Sequence, residues 1–416
     1  MTRVKSLGTS LKGKDRLIWR DIEENAFEGD ENYIPFSPGV REGEEREFFI
    51  LMDGGAEIGR ACTTVDRGWI EKRKENIGFI DDFAILPDYK EDANLLIKHC
   101  LSVLKDKGLE GAFVRRSPLF PGLLVDAKEP PTFLMPYNPS FYIDLFAKEG
   151  FTREKEWVEV RLKFPSKLTE ELPPIFSDKK IKKRLFFSKD PKDFQEHKEE
   201  VLNLISQKQV PESVVEDTSK SYRFIEKNDA RIVRINAVNV KEMKELSAFE
   251  SNIFMSMEHF GYNPREFMGE GEVTFLKRLQ LRFLNYLLRI KTLALRGKDG
   301  NIIGYVTYLA DLAAPMKKMR EKKGLRNLFR FRRLMRKNDS FMIGGLGIDE
   351  NIRGMGAVRS LVFVILKIMV DDGVRTLTTG PMLADNIPVM KTVEIIGETF
   401  GIEIEPIKYV TLSYKF

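Results

Sequence analysis

The chain has 416 residues, 42% hydrophobic and 31% charged, with a formal net charge of +5. At roughly 150 residues per domain, that is material for two or three domains of a soluble globular protein. Two cysteines, Cys62 and Cys100, and three histidines, His99, His197 and His259, exclude a disulfide scaffold, a Cys/His zinc site and a His-rich metal site. No apolar run approaches the ~18 residues of a membrane span, and residues 1–17 lack the apolar stretch of a signal peptide. The expectation is a reduced, cytoplasmic, metal-free protein.

Residues 48–52 and 58–65, split by Asp53-Gly54-Gly55, predict a β-hairpin, and 77–85 a strand that Pro87 ends. Residues 89–107 place Leu95, Leu96, Cys100, Val103 and Leu104 at helical spacing before Gly108. A short strand at 112–114 follows. Asn138, with Pro139 behind it, predicts a second helix closing at Gly150, and 151–164 alternates as a strand. Residues 165–184, with Pro173-Pro174 and the basic run 179–184, read as a linker or exposed edge. Helical patterns cover 193–205, 241–257 and 274–290.

The first order then returns. A hairpin is predicted at 292–296 and 302–309 around Gly297-Lys298-Asp299-Gly300, then a strand at 341–348 and an apolar helix at 356–370. A strand at 376–379, a helix at 386–396 and final strands over 402–414 complete it. The same order twice, without obvious sequence identity, predicts an α/β (α+β) duplication. The first domain would span 1–165, a linker 166–188, and the second domain 189–416.

The charge is uneven. Residues 316–337 hold eleven Lys/Arg against one acid, Glu321, so this segment carries +10 and the rest −5. Basic positions interleave there with Met319, Leu325, Leu328, Phe329, Phe331, Leu334 and Met335. Such a segment suits peripheral contact with an anionic membrane, on the inner face of the cytoplasmic membrane. A solvated helical excursion packing its apolar face on its own domain is the plainer alternative; nucleic acid fits worse than either, since the charge is not spread over a domain.

The most informative residues are Gly347-Ile348-Asp349-Glu350-Asn351-Ile352-Arg353-Gly354-Met355-Gly356-Ala357. A strand ends near Ile348 and a helix starts near Gly356. The first amides of a helix have no intrahelical acceptor, and its dipole adds positive potential there. Gly354 and Gly356 let backbone approach a ligand, so the turn forms a nest for a pyrophosphate, with Arg353 and Arg359 as further donors. No Lys-Ser/Thr follows as in a P-loop, and the third glycine of a dinucleotide fingerprint is missing. Glycines serving only a tight turn are the alternative.

With this loop in that element order, the chain resembles a tandem member of the GNAT superfamily of acyl-CoA-dependent N-acyltransferases. Asn351-x-x-Gly354-x-Gly356 is similar to the superfamily's pyrophosphate loop, with Asn351 in place of the usual Gln or Arg, and Asn386 resembles the asparagine that begins the next helix. A closer resemblance is to a bacterial two-domain family that includes bacterial ceramide synthases. It rests on Ile58-Gly59-Arg60, Val65-Asp66-Arg67, Gly78-Phe79, Gly122-Leu123-Leu124-Val125, Met135-Pro136-Tyr137-Asn138-Pro139, Phe141-Tyr142, Gly150-Phe151, His259-Phe260-Gly261-Tyr262 and the Arg353–Gly356 turn.

The resemblance implies two GNAT-like domains, each a mixed, mostly antiparallel sheet flanked by helices. It implies acyl-CoA or acetyl-CoA as co-substrate and a small-molecule or lipid amine, such as a sphingoid base, as acceptor. The first half has Leu86-Pro87-Asp88-Tyr89-Lys90-Glu91 where glycines would be needed, so it is expected to bind no CoA. Many members carry a tyrosine seven residues after the helix-opening asparagine; here that residue is Val393.

The expected donor contacts are Leu346, Gly347, Ile348, Asn351, Arg353, Gly354, Met355, Gly356, Ala357 and Asn386. Glu258 and His259 are candidates for the base, His259 having a suitable ordinary pKa or serving only in packing; Tyr262 lines the site or belongs to the core. Tyr137 and Asn138 hold substrate, or Asn138 simply caps a helix. Asp81 and Asp82 are paired carboxylates with one pKa raised, or solvated turn acids. A non-catalytic acyl-CoA sensor of the same fold remains as the rival.

Overall fold

The computed structural model describes residues 1–30, 32–34, 43–116, 121–127, 129–133, 135–164, 223–225, 227–236, 239–255, 286–319, 326–358, 360–361, 365, 373–400 and 402–416. The expected linker, the helical pattern at 193–205 and residues 256–285 lie outside these.

The first half begins with β1 (Arg3–Gly8) and α1 (Gly13–Ala26), neither foreseen from the sequence. Then come β2 (Glu44–Asp53), β3 (Ala56–Asp66), the short α2 (Arg67–Arg73) and β4 (Ile77–Ile85), which matches its expected bounds. A 3₁₀ turn at Pro87–Asp92 leads into α3 (Ala93–Asp106), then β5 (Gly111–Arg115) and β6 (Leu123–Asp126). The half ends with α4 (Phe141–Lys148) and β7 (Thr152–Lys163).

The unbroken apolar run Phe48–Met52 is explained by burial on both sheet faces. Phe48 and Ile50 pack with Trp19 and Ile22 of α1, while Phe49 and Leu51 pack with Leu96, Ile97, Cys100 and Leu104 of α3.

The second half repeats this plan. β8 (Arg231–Ile235) and α5 (Val240–Met255) precede the hairpin β9 (Lys291–Arg296) and β10 (Ile302–Ala310). Two helices, α6 (Ala313–Lys317) and α7 (Arg326–Arg336), lead to β11 (Ser340–Ile348) and a 3₁₀ turn at Glu350–Ile352. Ala357, Val358, Ser360, Leu361 and Ile365 are helical. β12 (Thr376–Thr378), β13 (Met382–Leu383), α8 (Ile387–Phe400) and the single strand β14 (Glu403–Lys415) complete the chain.

The duplication is visible in residues as well. Ile58-Gly59-Arg60 and Asp66 of β3 recur at the same spacing as Ile303-Gly304-Tyr305 and Asp311. Both aspartates do the same work at the end of their strand: Asp66 accepts from the Trp69 amide at 3.0 Å, and Asp311 from the Ala313 amide at 3.0 Å.

All the strands join one sheet, in the order β1-β2-β3-β4-β5-β14-β7-β12-β11-β10-β9-β8, with β6 on β14 and β13 on β7. Among the described residues, only β4–β5 and β11–β12 pair in parallel. At the centre the halves exchange their last strands. β14 enters between β5 and β7, with Ser413 opposite Phe113 and Thr152, and β7 enters between β14 and β12, with Lys163 opposite Glu403 and Thr376. Val158, Val160 and Leu162 of β7 therefore belong to the second half's core, and Val410 and Leu412 of β14 to the first half's. Hydrophobic burial, the largest favourable term in folding, thus depends in each half on the other.

Candidate functional site

β11 pairs with β12 only from Ser340–Thr376 to Met342–Thr378. Beyond that, the chain after β12 follows β7 instead: the Thr379 amide bonds the Val160 carbonyl at 2.8 Å, and β13 pairs with Val158 and Trp157. The two parallel strands splay, and Ile343, Gly344, Gly345 and Leu346 are half-exposed in the middle of the sheet. The Asp349 amide bonds the Ile303 carbonyl at 2.9 Å, on the β10 side. Strand alternation then turns the amides of Ile348 and Leu346 the other way, toward the splay. Gly345 and Gly347 are required by close approach: a Cβ on either would stand 2.7 Å from the fully buried Tyr305 ring or hydroxyl.

The strand runs into the glycine turn. Asp349 accepts from the Asn351 amide and from its side-chain Nδ2, each at 2.9 Å, so the Asn351 side chain is engaged in the turn itself. Arg353 is exposed and lies 3.3 Å from Glu350. Gly354 (φ +79°) and Gly356 (φ +99°) hold left-handed conformations that residues with a Cβ adopt only under strain. Among the described residues, nothing stands within 4 Å of where a Cβ on Gly354 would be, and Met355 is 53% exposed. Ala357 is buried, and by Ser360 the helical ladder is running, with its amide on the Gly356 carbonyl at 3.2 Å. The amides before it lie in the first turn, where the helix supplies no acceptor. An open, cation-like backbone cradle of this kind fits a diphosphate. Arg359 lies outside the described residues.

Asn386 stands at the head of α8, its carbonyl taking the Met390 amide at 3.1 Å and its amide bonding the Leu383 carbonyl at 3.0 Å. Val393 is buried in the second half's core.

The first half has the same splay, and it is filled. β4 and β5 pair from Ile77 to Asp81, after which Phe83 packs on Tyr142 and Phe146 of α4. The Ile85 amide donates to the Tyr142 hydroxyl at 3.2 Å, and Arg116 donates to the Phe83 carbonyl at 2.6 Å. Over residues 86–93 no residue has positive φ, and Asp88, Glu91 and Asp92 crowd the helix start. Acids there satisfy the helix dipole and repel an anion.

Asp81 and Asp82 are not solvated turn acids. Both lie inside β4, buried, because arginines distant in sequence converge on them. Arg115 grips Asp81 with two bonds of 2.8 and 2.6 Å and also reaches Glu44 at 3.1 Å. Burial pushes the Asp81 carboxyl up, but Arg115 outweighs it and the net shift is downward. Asp82, at a bulge with φ +52°, is raised by burial against a partial pull from Arg60. Arg60 is itself buried, 2.6 Å from Glu23 and from the Trp19 carbonyl.

Asn138 does not open a helix. α4 starts at Phe141, and the Asn138 side chain clamps β6, accepting from the Leu124 amide at 2.7 Å and donating to the Leu124 carbonyl at 3.2 Å. Tyr137 donates to Asp30 at 2.7 Å and lines a small pocket with Glu23, Tyr33, Arg116, Thr132 and Phe133. This loop also ties the halves together, since the Phe133 amide donates to Asp311 at 3.1 Å and the Thr132 hydroxyl to Glu159 at 2.6 Å. Glu159 is fully buried, and burial pushes its carboxyl up to about 7 despite the bonds from Thr132 and Tyr409.

The structure therefore brings Leu346 to Ala357 together in one strand–loop–helix unit and places Tyr137 and Asn138 on the loop beside the first half. Glu258, His259 and Tyr262 lie outside the described residues. Sequence reasoning missed Tyr305 and Tyr142; the repeated Ile-Gly-x…Asp pattern was a signal for the first. Among the described residues, no group of three His, Cys, Asp or Glu side chains could hold a metal.

No protein-family model matches the chain, and no curated protein matches it either. Solved structures do. A GCN5-related glucosamine N-acetyltransferase region of a fungal multi-domain β-N-acetylglucosaminidase is 12% identical with a TM-score of 0.52, covering 100% of this chain and 38% of that one. A tandem GNAT protein from the clavulanic acid biosynthesis pathway is 9% identical with a TM-score of 0.49, covering 100% and 98%. A GCN5-related N-acetyltransferase from Anabaena variabilis is 11% identical with a TM-score of 0.45, covering 98% and 72%. The chain has the GNAT fold, here in two copies within one mixed sheet.

Proposed function

We propose that the chain is an acyl-CoA-dependent N-acyltransferase whose second half holds the donor. The observation that carries this reading is the pair of positive-φ glycines, Gly354, which is exposed, and Gly356, which is half-buried, between the splayed end of β11 and a helix start. The Gly354–Ala357 backbone would hold the diphosphate of the coenzyme, and Asn386 would stand at the adjoining helix start. The thioester supplies an activated carbonyl; everything else falls to the chain. The inward amides of Ile348 and Leu346 would donate to the developing oxyanion, a contribution of roughly 3 kcal/mol per donor. A base, for which Glu258 and His259 are the candidates, takes the amine's proton as the C–N bond forms. The proton given to the thiolate as the C–S bond breaks comes from water or another residue, because Val393, where many members carry a tyrosine, has none to give.

The acceptor proposed is a lipid amine such as a sphingoid base, with a fatty acyl-CoA as donor. Support for it is the resemblance carried by the Met135–Pro139 segment and its neighbours, whose loop sits between the halves. The test is thiol release from acetyl- and palmitoyl-CoA across short and long-chain amines. Release that requires both acyl-CoA and a long-chain amine is expected. Binding of acyl-CoA with no thiol release for any amine would favour the sensor, the reading to which the missing tyrosine at position 393 lends weight.

A further inference from the structure

Helix α7 and Tyr286 form an exposed cationic face with an aromatic centre. Phe329, Arg332, Arg333 and Arg336 fall at helical spacing on one side, and Phe329 is 75% exposed. Arg330 and Lys337 are exposed beside them. The opposite side of the helix anchors it: Met335 is buried in the second half's core and Phe331 packs against that core. Tyr286, 56% exposed, accepts bonds of 3.2 Å from both Arg332 and Arg336, and Arg332 lies over its ring at 5.4 Å. No acidic residue occurs among the described residues of α6 and α7, and Asp339 is the one acid in the turn after α7, so most of this charge is not neutralised within its own segment.

We propose that this face, Tyr286 with Phe329, Arg330, Arg332, Arg333 and Arg336, docks the protein on an anionic lipid surface. The arginines meet headgroup phosphates, and Phe329 enters the interface between headgroups and acyl chains. Lipid is favoured over nucleic acid because the patch presents an apolar side chain, Phe329, three-quarters exposed among the arginines. Burying a phenylalanine in the headgroup region is favourable, whereas a phosphate backbone offers it nothing. The placement also suits the donor site. α7 runs through Asn338, which the Arg289 guanidinium and the Asp311 carbonyl hold, into the start of β11. The glycine turn is at the strand's other end, about 25–30 Å away at strand rise, so a docked molecule keeps that turn in water. This inference does not depend on the chain being an acyltransferase.

The test is co-sedimentation of the full chain with phosphatidylcholine vesicles, with and without one quarter phosphatidylglycerol. Binding only to the anionic vesicles is expected. The fourfold charge reversal of Arg330, Arg332, Arg333 and Arg336 to Glu should weaken it more than about tenfold, from the contribution of each basic residue near such a surface. Phe329→Ala should weaken it several-fold. Trp19, Trp69 and Trp157 are all buried, so a Phe329→Trp variant reports the patch alone. Its emission should shift to the blue with anionic vesicles. Unchanged emission, or vesicle binding that survives the charge reversal with the thermal midpoint intact, overturns the proposal. Salt-sensitive binding to duplex DNA without binding to vesicles overturns it in favour of nucleic acid.

Discussion

In β4, Asp81 and Asp82 stand where β11 has Gly344 and Gly345, and beneath them Arg60 takes the place of Tyr305. The strands are equally long and start a parallel pair at the same end, but β4 stays paired through Asp81 and β11 only through Met342, two positions earlier. What differs is what fills the opening. In the first half, Tyr142 caps the Ile85 amide and Arg115 locks the acids into a buried network. In the second half, no described side chain bonds the strand amides at the gap, and the strand leads to a turn with two left-handed glycines. Among the described residues, one copy fills the splay with internal bonds, and the other turns strand amides toward it.

The comparison can be broken at several points. Arg115→Met should cause the largest loss of stability, about 3–5 kcal/mol, because Asp81 would remain buried without the guanidinium that grips it, while Glu44 keeps Arg46 at 2.9 Å. Chemical denaturation measures it, and a loss below about 1 kcal/mol would mean the network is more solvated than described. Gly354→Glu should weaken CoA binding at least about 100-fold by placing an anion and a strained backbone in the nest. Since nothing crowds that position, the fold should survive, which circular dichroism would check. Tyr142→Phe should cost about 1–3 kcal/mol by leaving the Ile85 amide without its acceptor, with CoA affinity unchanged.

A smaller, pH-dependent effect belongs to the seam between the halves. The Glu159 carboxyl, raised from its ordinary value to about 7 by burial, binds its proton more tightly folded than unfolded. The stability this contributes is complete below the unfolded pKa and is lost as pH rises through about 7. Glu159→Gln should therefore flatten the stability profile between pH 5 and 8, as read by thermal unfolding across a buffer series. A profile identical to that of the unmodified chain would show that Glu159 is not held protonated.

Much of this was legible in the sequence. β4, β11, both hairpins and the glycine turn follow from alternation and from glycines where only they fit. The strand exchange was not, because the alternating Val158–Leu162 pattern describes a buried strand without naming the sheet it enters. Asn138 misled for a similar reason: Asn-Pro precedes helices, yet the same amide can clamp a neighbouring strand. Asp81 and Asp82 looked solvated because Arg115 and Arg60, which bury them, lie far away in the chain. The recurrence of Ile-Gly-x…Asp was present in the residues and passed unnoticed. β1 and α1 showed no strong period in a polar N-terminal segment.

The most direct measurement is the stoichiometry of CoA binding by titration calorimetry, on the unmodified chain and on Gly354→Glu. One site per chain, absent in the variant, is the predicted result. Two sites per chain, or a single site that persists in the variant, would mean that the two splays are not divided into a filled copy and an open one.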